Sequence, residues 1–306
     1  MAHVYDMIII GGGPGGYTAA LYGARAGMDV LLVEKYCAGG QMALTSQIDN
    51  YPGFPQGVDG FTLAQQMQEG AERFGAVTRY GEVTELALQG GIKEVTVDGE
   101  VLRAKTVIIA TGANPRPLGV PQEQALIGRG LGYCAHCDGM FYKDRVVVVA
   151  GGGNSAAADA LHLSKIAKKV IVVHRRDTLR ATKIYHKPLL EAENVEFVWD
   201  SVIEEILHED LVTGIRVRNR KTGQEQTIPC DGVFVSIGRV PATGFLQDQL
   251  TLDPGGYILA GENTETNIPG VYAVGDVRTK ALRQIVTAVA DGAAAVHQAQ
   301  EYLAEA

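Results

Sequence analysis

The sequence predicts an α/β fold of two Rossmann-like domains, the second inserted into the first. Two observations predict this fold: the order strand, glycine-rich turn, helix and strand occurs near residue 5, and it occurs again near residue 145. The composition agrees with it, since 46% hydrophobic and 20% charged residues in a chain of 306 are typical of a globular protein with a large buried core.

The first unit begins with the apolar strand YDMIII, which runs into the turn GGGPGG. Gly11, Gly13 and Gly16 fit the pattern G-x-G-x-x-G, and a helix and a second strand ending at Glu34 follow. The first glycine allows a tight turn, the second lets the backbone approach a pyrophosphate, and the third lets helix and strand pack closely. Glu34 stands where an acid accepts hydrogen bonds from ribose hydroxyls, so we predict a dinucleotide site rather than a chance glycine-rich turn.

The second unit repeats the pattern with one difference at its end. The strand RVVVVA leads into GGGNSA, where Gly151, Gly153 and Ala156 fit G-x-G-x-x-A. The next strand ends without an acid, and a basic group stands there instead: His174, Arg175, Arg176 and Arg180. Guanidinium groups bind a phosphate in bidentate fashion, whereas a carboxylate would repel it. We therefore expect this site to prefer NADP(H) over NAD(H), although a solvated basic face is the alternative.

Together the two ends predict two different dinucleotides. An acid at the first site and arginines at the second indicate FAD and NADPH, in the order found in two-dinucleotide-binding flavoproteins. Near the C-terminus the strand VYAVGDV ends in Gly275 and Asp276, and in such folds this acid binds the ribityl or phosphate region of the flavin. An alanine-rich stretch after it predicts a helix that packs closely on the sheet.

Two segments predict where one domain leaves and re-enters the other. Residues 106–118 form a strand, a glycine turn and a proline-containing exit, and residues 231–243 look like the return. The FAD-binding domain is therefore predicted as 1–115 plus 243–306, with the NADPH-binding domain at 116–242.

The four cysteines divide into a pair and two isolated residues. Cys37 and Cys230 are isolated and are expected to be small, reduced apolar fillers. Cys134 and Cys137 form C-x-x-C; a structural zinc site usually needs four ligands, so we predict no metal and a redox disulfide instead.

The spacing of this pair allows a small disulfide at the start of a helix, where the helix dipole favours the thiolate. Asp138 is a candidate general acid–base, or else simply a turn residue. His136 either tunes the thiolate or lies exposed in the turn, and we expect the second.

Charge and hydropathy exclude some classes of partner. The formal charge of −8 disfavours nucleic acid, and no stretch approaches the roughly 20 apolar residues that a membrane-spanning helix needs. Residues 1–6 lack the basic start of a signal peptide, so we expect a cytoplasmic enzyme.

The motifs GGGPGG, CAHCDG, GGGNSA, HRRDTLRA and GDVRTKALRQIVTAVADGAAA, in this order, resemble the low-molecular-weight thioredoxin reductases over nearly the whole chain. The resemblance implies a homodimer with one FAD per subunit. It places FAD beside Glu34, Gly40, Gln41, Asn50, Asp276, Arg283, Gln284 and Ile285. It places NADPH beside Ser155, Arg175, Arg176 and Arg180. It also makes Cys134 and Cys137 the redox pair, with Cys137 nearer the flavin and Asp138 as the acid.

One position departs from this family. The family commonly has Thr or Val where His136 stands, and C-x-H-C-D-G is also similar to the flavoprotein subunit of alkyl hydroperoxide reductase. That protein has an additional N-terminal thioredoxin-like domain, which we do not expect here because the first glycine motif begins at residue 11. A glutaredoxin-like or peroxiredoxin-linked partner is therefore the alternative to thioredoxin.

The expected reaction passes electrons from NADPH to FAD, then to the Cys134–Cys137 disulfide, and then to the disulfide of thioredoxin or a related small dithiol protein. Because the dithiol must reach both a flavin and a protein, we expect the inserted domain to rotate about linkers near 114–118 and 238–243. A flavin-binding redox sensor without turnover is the competing class, and a ferredoxin-NADP reductase of similar fold would need no dithiol.

Overall fold

The computed structural model describes residues 3–45, 47–246 and 248–305. The chain divides into two compact units, the first made of Met1–Asn114 and Val240–Ala306 and the second of Pro115–Arg239. These divisions lie next to the predicted domain boundaries.

The described residues form strands in chain order as follows: β1 Val4–Ile10, β2 Val30–Glu34, β3 Val77–Tyr80, β4 Val83–Ala87, β5 Lys93–Val97, β6 Glu100–Ile109, β7 Ala113–Pro115, β8 Leu131–Gly132, β9 Val146–Ala150, β10 Lys169–Val173, β11 Val195–Val198, β12 Ser201–His208, β13 Val212–Asn219, β14 Glu225–Pro229, β15 Gly232–Val235, β16 Arg239–Pro241 and β17 Val271–Ala273. The α-helices are α1 Pro14–Arg25, α2 Gly60–Glu72, α3 Glu123–Leu126, α4 Ala135–Asp138, α5 Asn154–Leu163, α6 Lys183–Leu190 and α7 Ile285–Glu305. Short 3-10 helices cover Gly40–Leu44, Gly139–Tyr142, Gly244–Leu246 and Gly275–Val277.

The first unit is built on a sheet in the order β3-β2-β1-β6-β5-β4, with β17 also paired to β6. The pairs among β3, β2, β1, β6 and β17 are parallel, whereas β4 and β5 add an antiparallel edge. The central strand β1 is apolar on both faces, as expected for a parallel strand covered on both sides. Met7 and Ile9 face the cluster that includes α1 and α7, and Ile8 and Ile10 face the opposite cluster.

Helix α7 packs through small residues, as its composition predicts. Ala288, Gly292, Ala295 and Ala299 are buried and recur at helical spacing, so they form one face of the helix. This face is the reason that α7 can lie close to the rest of the unit.

The second unit repeats the arrangement with the parallel sheet β11-β10-β9-β15-β8 and a separate antiparallel sheet β12-β13-β14. Val147 and Val149 of β9 face the cluster that contains α5, and Val148 faces the cluster beneath the antiparallel sheet. The predicted strand, turn, helix and strand are thus present in both units.

The chain passes between the units through β7 and β16, which pair as a two-stranded ribbon. In the first unit, the amide of Ala242 donates to the carbonyl of Gly112 at 3.0 Å. In the second unit, the amide of Arg116 donates to the carbonyl of Gly238 at 2.9 Å. In each unit, the segment that leaves for the other unit and the segment that returns from it are therefore hydrogen-bonded to each other.

Among the helices of the described residues, none is both long and apolar enough to cross a membrane.

Candidate functional site

The first glycine turn has the geometry that its three predicted positions require. Gly11 has φ +107°, and a Cβ there would lie 2.6 Å from the carbonyl oxygen of Ala110. Gly13 caps α1 and faces open space, whereas a Cβ at Gly16 would overlap the carbonyl oxygen of Gly11. Pro14 then starts the helix, where its missing N–H is no loss. The turn therefore leaves an open cradle at a helix N-terminus, which fits a pyrophosphate.

Glu34 closes this turn at the end of β2. Its carboxylate accepts hydrogen bonds from the amide of Gly12 at 2.6 Å and from the amide of Tyr36 at 3.1 Å. The acid that the sequence assigns to a ribose thus lies beside the glycine turn.

Hydrogen bonds also connect other residues that are predicted to contact the flavin. One bond joins the segment before Gly40 to the glycine turn, and another joins Asn50 to Gln284. Gly40 and Gln41 begin a 3-10 helix, and the amide of Gly39 just before them donates to the carbonyl of Gly12 at 2.7 Å. The side chain of Asn50 donates to that of Gln284 at 3.0 Å, across 234 positions of sequence.

Gly275 and Asp276 follow β17, and the amide of Val274 donates to Ile109 at the end of β6. Gly275 has φ +72°, a conformation that favours glycine. Arg283 lies over the ring of Tyr257 at 4.1 Å, and Ile285 begins α7. The guanidinium of Arg283 also donates to the carbonyls of Asp276, Arg278 and Lys280. This arginine is therefore held by the backbone of the turn that carries Asp276.

A buried ionic cluster beneath this turn was not predicted from the sequence. The carboxylate of Asp291 in α7 accepts hydrogen bonds from the amide of Gly275 at 2.8 Å, from Arg278 at 2.6 and 2.9 Å, and from Lys280 at 2.7 Å. Burial alone would raise the pKa of Asp291, but hydrogen bonds from Arg278 and Lys280 outweigh it and the pKa is lowered. An acid at a buried position of a helix otherwise lined by small residues is the signal that could have revealed it.

The second glycine turn repeats the geometry of the first. Gly151 has φ +142°, and a Cβ there would overlap the carbonyl oxygen of Ser236. Gly153 caps α5 and faces open space, and Ala156 is fully buried behind it. Ser155 is exposed in the first turn of α5. This turn also leaves the space that a dinucleotide phosphate requires.

The predicted basic group lies beside this second turn. Arg175, Arg176 and Arg180 are exposed, and the amide of Arg180 donates to the carbonyl of Gly152 at 2.7 Å. The segment after β10 therefore folds back onto the glycine turn and brings Arg180 to it.

His174, by contrast, is buried, and its ring occupies the place that a Cβ at Gly152 would need. Burial, together with the charges of Arg176, Arg175 and Arg180, lowers the pKa of His174. A neutral imidazole is therefore expected here at neutral pH, so the positive charge of the group comes from its arginines.

Cys134 and Cys137 form a disulfide, as the sequence predicts. Cys134 precedes the single turn of α4, and its Sγ accepts a hydrogen bond from the amide of Cys137 at 3.2 Å. Both residues are partly exposed. The pair therefore sits at a helix start, where a thiolate is stabilised. Within the described residues no cluster of three or more His, Cys, Asp or Glu could hold a metal ion.

Asp138 follows the pair and is half-buried. Burial raises its pKa to about 6, because the charged carboxylate is poorly solvated there. The space beside it depends on Gly132, where a Cβ would lie 2.9 Å from Asp138 Oδ2. A carboxyl group with such a pKa can hold and release a proton near neutral pH, which suits the predicted acid.

His136 lies exposed, as expected, but it is not free of contacts. Its ring stacks on His162 with centroids 4.2 Å apart, and its Nδ1 lies 3.6 Å from a carboxylate oxygen of Asp159. Asp159 also accepts a hydrogen bond from Ser236. The stack joins α4 to α5, which sequence spacing alone does not reveal.

The two remaining cysteines behave differently from each other. Cys230 is buried and burial raises its pKa to about 12, so it is an inert filler as predicted. The same prediction is wrong for Cys37, which is exposed because it lies in the bend that follows β2.

Directly after the dithiol the chain exposes two large apolar side chains. Met140 is 59% exposed and Phe141 is 52% exposed, and both lie in the 3-10 helix that continues from Asp138. Apolar side chains in solvent beside a reactive pair are suited to contact another protein. Their place immediately after CAHCDG is the signal that sequence reasoning passed over.

Comparison with known proteins agrees with this geometry. Residues 5–292 match the family pattern of pyridine nucleotide-disulphide oxidoreductases. The thioredoxin reductase of Listeria monocytogenes is 46% identical over 304 residues, covering 99% of this chain and 95% of that protein. The thioredoxin reductase of Peptoclostridium acidaminophilum is 43% identical over 309 residues, covering 99% and 98%.

Solved structures agree as well. The crystal structure of thioredoxin reductase from Streptococcus pyogenes superposes with a TM-score of 0.92 at 45% identity and covers 100% of both chains. Thioredoxin reductase from Giardia duodenalis gives a TM-score of 0.91 at 33% identity, covering 99% of this chain and 100% of that one. The chain therefore belongs to the pyridine nucleotide-disulphide oxidoreductase family and, within it, to the thioredoxin reductases.

Proposed function

We propose that this chain uses NADPH and FAD to reduce the disulfide of a thioredoxin. As a thioredoxin reductase it is a flavoprotein disulfide oxidoreductase. The observation that carries the proposal is the Cys134–Cys137 disulfide, in the same compact unit as the glycine turn flanked by arginines. A structural disulfide would not explain why an acid with a raised pKa follows it directly.

FAD is proposed for the first unit. The open cradle at Gly13, the acid Glu34 beside it and the segments around Asn50 and Asp276 support this assignment. NADPH rather than NADH is proposed for the second unit. Its support is the exposed arginine group beside Gly152, where a carboxylate would exclude a 2′-phosphate.

When bound, the two cofactors supply the transfer of two electrons that opens the disulfide. The protein's own cysteines then perform the exchange. One thiolate of the pair attacks a sulfur of the partner's disulfide, so a mixed disulfide forms and the partner's other sulfur leaves as a thiolate. The second cysteine attacks the mixed disulfide. The Cys134–Cys137 bond forms again, and the partner leaves with two thiol groups and two electrons.

Asp138 is proposed to handle the proton of this exchange. A leaving thiolate becomes a better leaving group when a neighbouring acid supplies a proton, and an acid does this best when its pKa lies near the working pH. The pKa of Asp138, raised by burial to about 6, meets this condition better than an exposed aspartate would.

Thioredoxin is proposed as the partner, and a glutaredoxin-like or peroxiredoxin-linked protein is the alternative. The exposed Met140 and Phe141 provide an apolar surface beside the dithiol for a protein rather than a small thiol. A homodimer and a cytoplasmic location are also proposed, by analogy with the thioredoxin reductases that the chain resembles.

Serine in place of Cys137 should slow thioredoxin reduction at least about a hundredfold, because the exchange needs both sulfurs. NADPH should still reduce the flavin and bleach its absorbance. Stopped-flow flavin absorbance and a steady-state thioredoxin assay measure the two steps. Cys37→Ser is the matched control and should keep full activity, since Cys37 is exposed and outside the pair. Retained disulfide reduction in Cys137→Ser would remove the dithiol from the mechanism. If glutaredoxin-like or peroxiredoxin-linked proteins are reduced faster than thioredoxin by the unaltered enzyme, the alternative partner is correct.

Leucine at both Arg175 and Arg176 should raise the KM for NADPH at least about tenfold, since each lost charge-assisted hydrogen bond to phosphate matters by about 1.5–3 kcal/mol. The KM for NADH should change less than about twofold, because NADH has no 2′-phosphate. Lys165→Gln with Lys168→Gln is the charge-matched control, because both lysines are exposed on the same basic stretch. Equal effects on the two nucleotides would mean that the arginines do not read the phosphate.

Asn in place of Asp138 should slow thioredoxin reduction at least tenfold, as expected for the loss of a general acid. It should also change stability in a pH-dependent way in the oxidised protein. Between about pH 4 and 6 the folded state keeps the proton that the unfolded state has released, so stability falls as pH rises through this window. The variant lacks this fall. Above pH 6 its free energy of unfolding should therefore exceed that of the parent by at most about 3 kcal/mol.

Urea unfolding at pH 4.5 and 7.5 measures that gain. Asp210→Asn, which removes an acid of the same unit whose side chain is fully exposed, is the control and should leave the stability of the parent unchanged. A gain of the same size for Asp138→Asn at both pH values would contradict the raised pKa.

The inserted unit is proposed to rotate about the ribbon of β7 and β16 during turnover, because its dithiol must meet a flavin in one step and a protein in the next. A non-reducible cross-link between cysteines engineered into the two units should stop thioredoxin reduction, when it is introduced in a Cys37→Ser background with the Cys134–Cys137 disulfide intact. Each single-cysteine variant treated with the same reagent should stay active. Undiminished turnover of the cross-linked enzyme would refute alternation.

A further inference from the structure

Two adjacent residues of α7, Asp291 and Gly292, contact two separate parts of the proposed flavin site. Asp291 binds the turn from Gly275 to Lys280. Asp291 is 6% exposed, and its carboxylate carries all four hydrogen bonds described above, from Gly275, Arg278 and Lys280. Arg278 is also buried, and it is the side chain that binds Asp291 with two nitrogen atoms. Bidentate pairing fixes orientation as well as distance, so the turn from Gly275 to Lys280 has one arrangement on the helix.

The next residue, Gly292, packs against the first turn of α1. A Cβ there would overlap the carbonyl oxygen of Gly15 and lie 3.0 Å from the amide nitrogen of Ala19, both in α1. Gly15 in turn lies against Ala288 and Val274, since a Cβ at Gly15 would be 3.1 Å from an atom of each. The first turn of α1, which carries the glycine motif, is thus seated on α7 at the residue that follows Asp291.

Adjacent residues of one helix therefore join two segments that lie far apart in sequence. The glycine turn is expected at the pyrophosphate, and the turn with Asp276 is expected at the same dinucleotide. We propose that Asp291, with Gly292, is a positioning residue for FAD, which holds the Gly275–Lys280 turn in register with the glycine turn of α1. This inference rests on the proposed FAD site and concerns residues that do not touch the cofactor.

The charge balance gives the inference its sharpest form. Arg278 and Lys280 are both largely buried, and Asp291 is the acid they share. Asparagine keeps the size of the side chain but removes the charge, so Arg278 and Lys280 lose the carboxylate that both of them bind. The turn is then expected to leave its position, and FAD affinity to fall even where the protein still folds.

The test compares Asp291→Asn with Glu123→Gln in the purified holoenzyme. Glu123 is an equally buried carboxylate of the second unit that accepts hydrogen bonds from the amides of Leu118 and Gly119 and from the hydroxyl of Tyr133. Each variant is diluted and its FAD dissociation constant is read from the fluorescence of released flavin, and thermal unfolding is recorded alongside. We expect the dissociation constant to rise at least about tenfold in Asp291→Asn and to stay within twofold in Glu123→Gln, although both lose thermal stability.

A dissociation constant within twofold of the parent for Asp291→Asn, or an equal rise in Glu123→Gln, would overturn the inference, because Asp291 would then act on stability alone. If Asp291→Asn does not fold, Lys280→Met replaces it, since this variant removes one cation and leaves the Asp291–Arg278 pair intact; a rise of about threefold is expected and no rise contradicts the inference. Parent protein that retains no FAD under the same conditions would instead contradict the proposed function.

Discussion

The structure depends on the close approach of backbone to backbone where a buried parallel strand turns into a helix. At Gly16 and at Gly151 a Cβ would overlap a carbonyl oxygen, so only glycine fits at these two positions. In the same two turns the helix N-caps, Gly13 and Gly153, face open space, and the first amides of each helix have no partner within the helix. A steric constraint on the chain thus becomes a binding property, and the molecule uses it twice, with an acid beside one turn and arginines beside the other.

Much of this could be predicted from the sequence because the information is local. The glycine motif, Glu34 and the dithiol lie within short stretches whose spacing is fixed by one strand or one helical turn. The unpredicted features join distant positions instead. Asp291 meets Gly275 and Arg278 only after α7 packs on the sheet, and the stacking of His136 on His162 needs α4 to reach α5. Cys37 is predicted to be a core filler because it is isolated from the other cysteines, yet β2 ends before it and the residue is exposed.

Burial acts to raise the pKa of two carboxyl groups, and their partners decide the direction of the net shift. Asp138 is half-buried and makes no ion pair with the residues that the structure describes, and its pKa rises to about 6. Asp291 is buried more completely, but Arg278 and Lys280 surround it and its pKa falls. The first group can exchange a proton during turnover, and the second keeps its charge and serves as a fixed anchor. Their environments therefore separate a candidate for chemistry from a candidate for positioning, although both are aspartates.

The neighbouring ends of the crossing have a consequence for how such a protein can arise. Gly112 and Ala242 are joined by one backbone hydrogen bond, and Arg116 and Gly238 by another. The second unit therefore begins and ends at nearly the same point, and the first unit resumes beside the point where it is interrupted. This is the condition under which a whole domain can be inserted into a surface turn without disturbing its host. A nucleotide-binding module inserted at this point would require neither unit to stretch or reroute its chain.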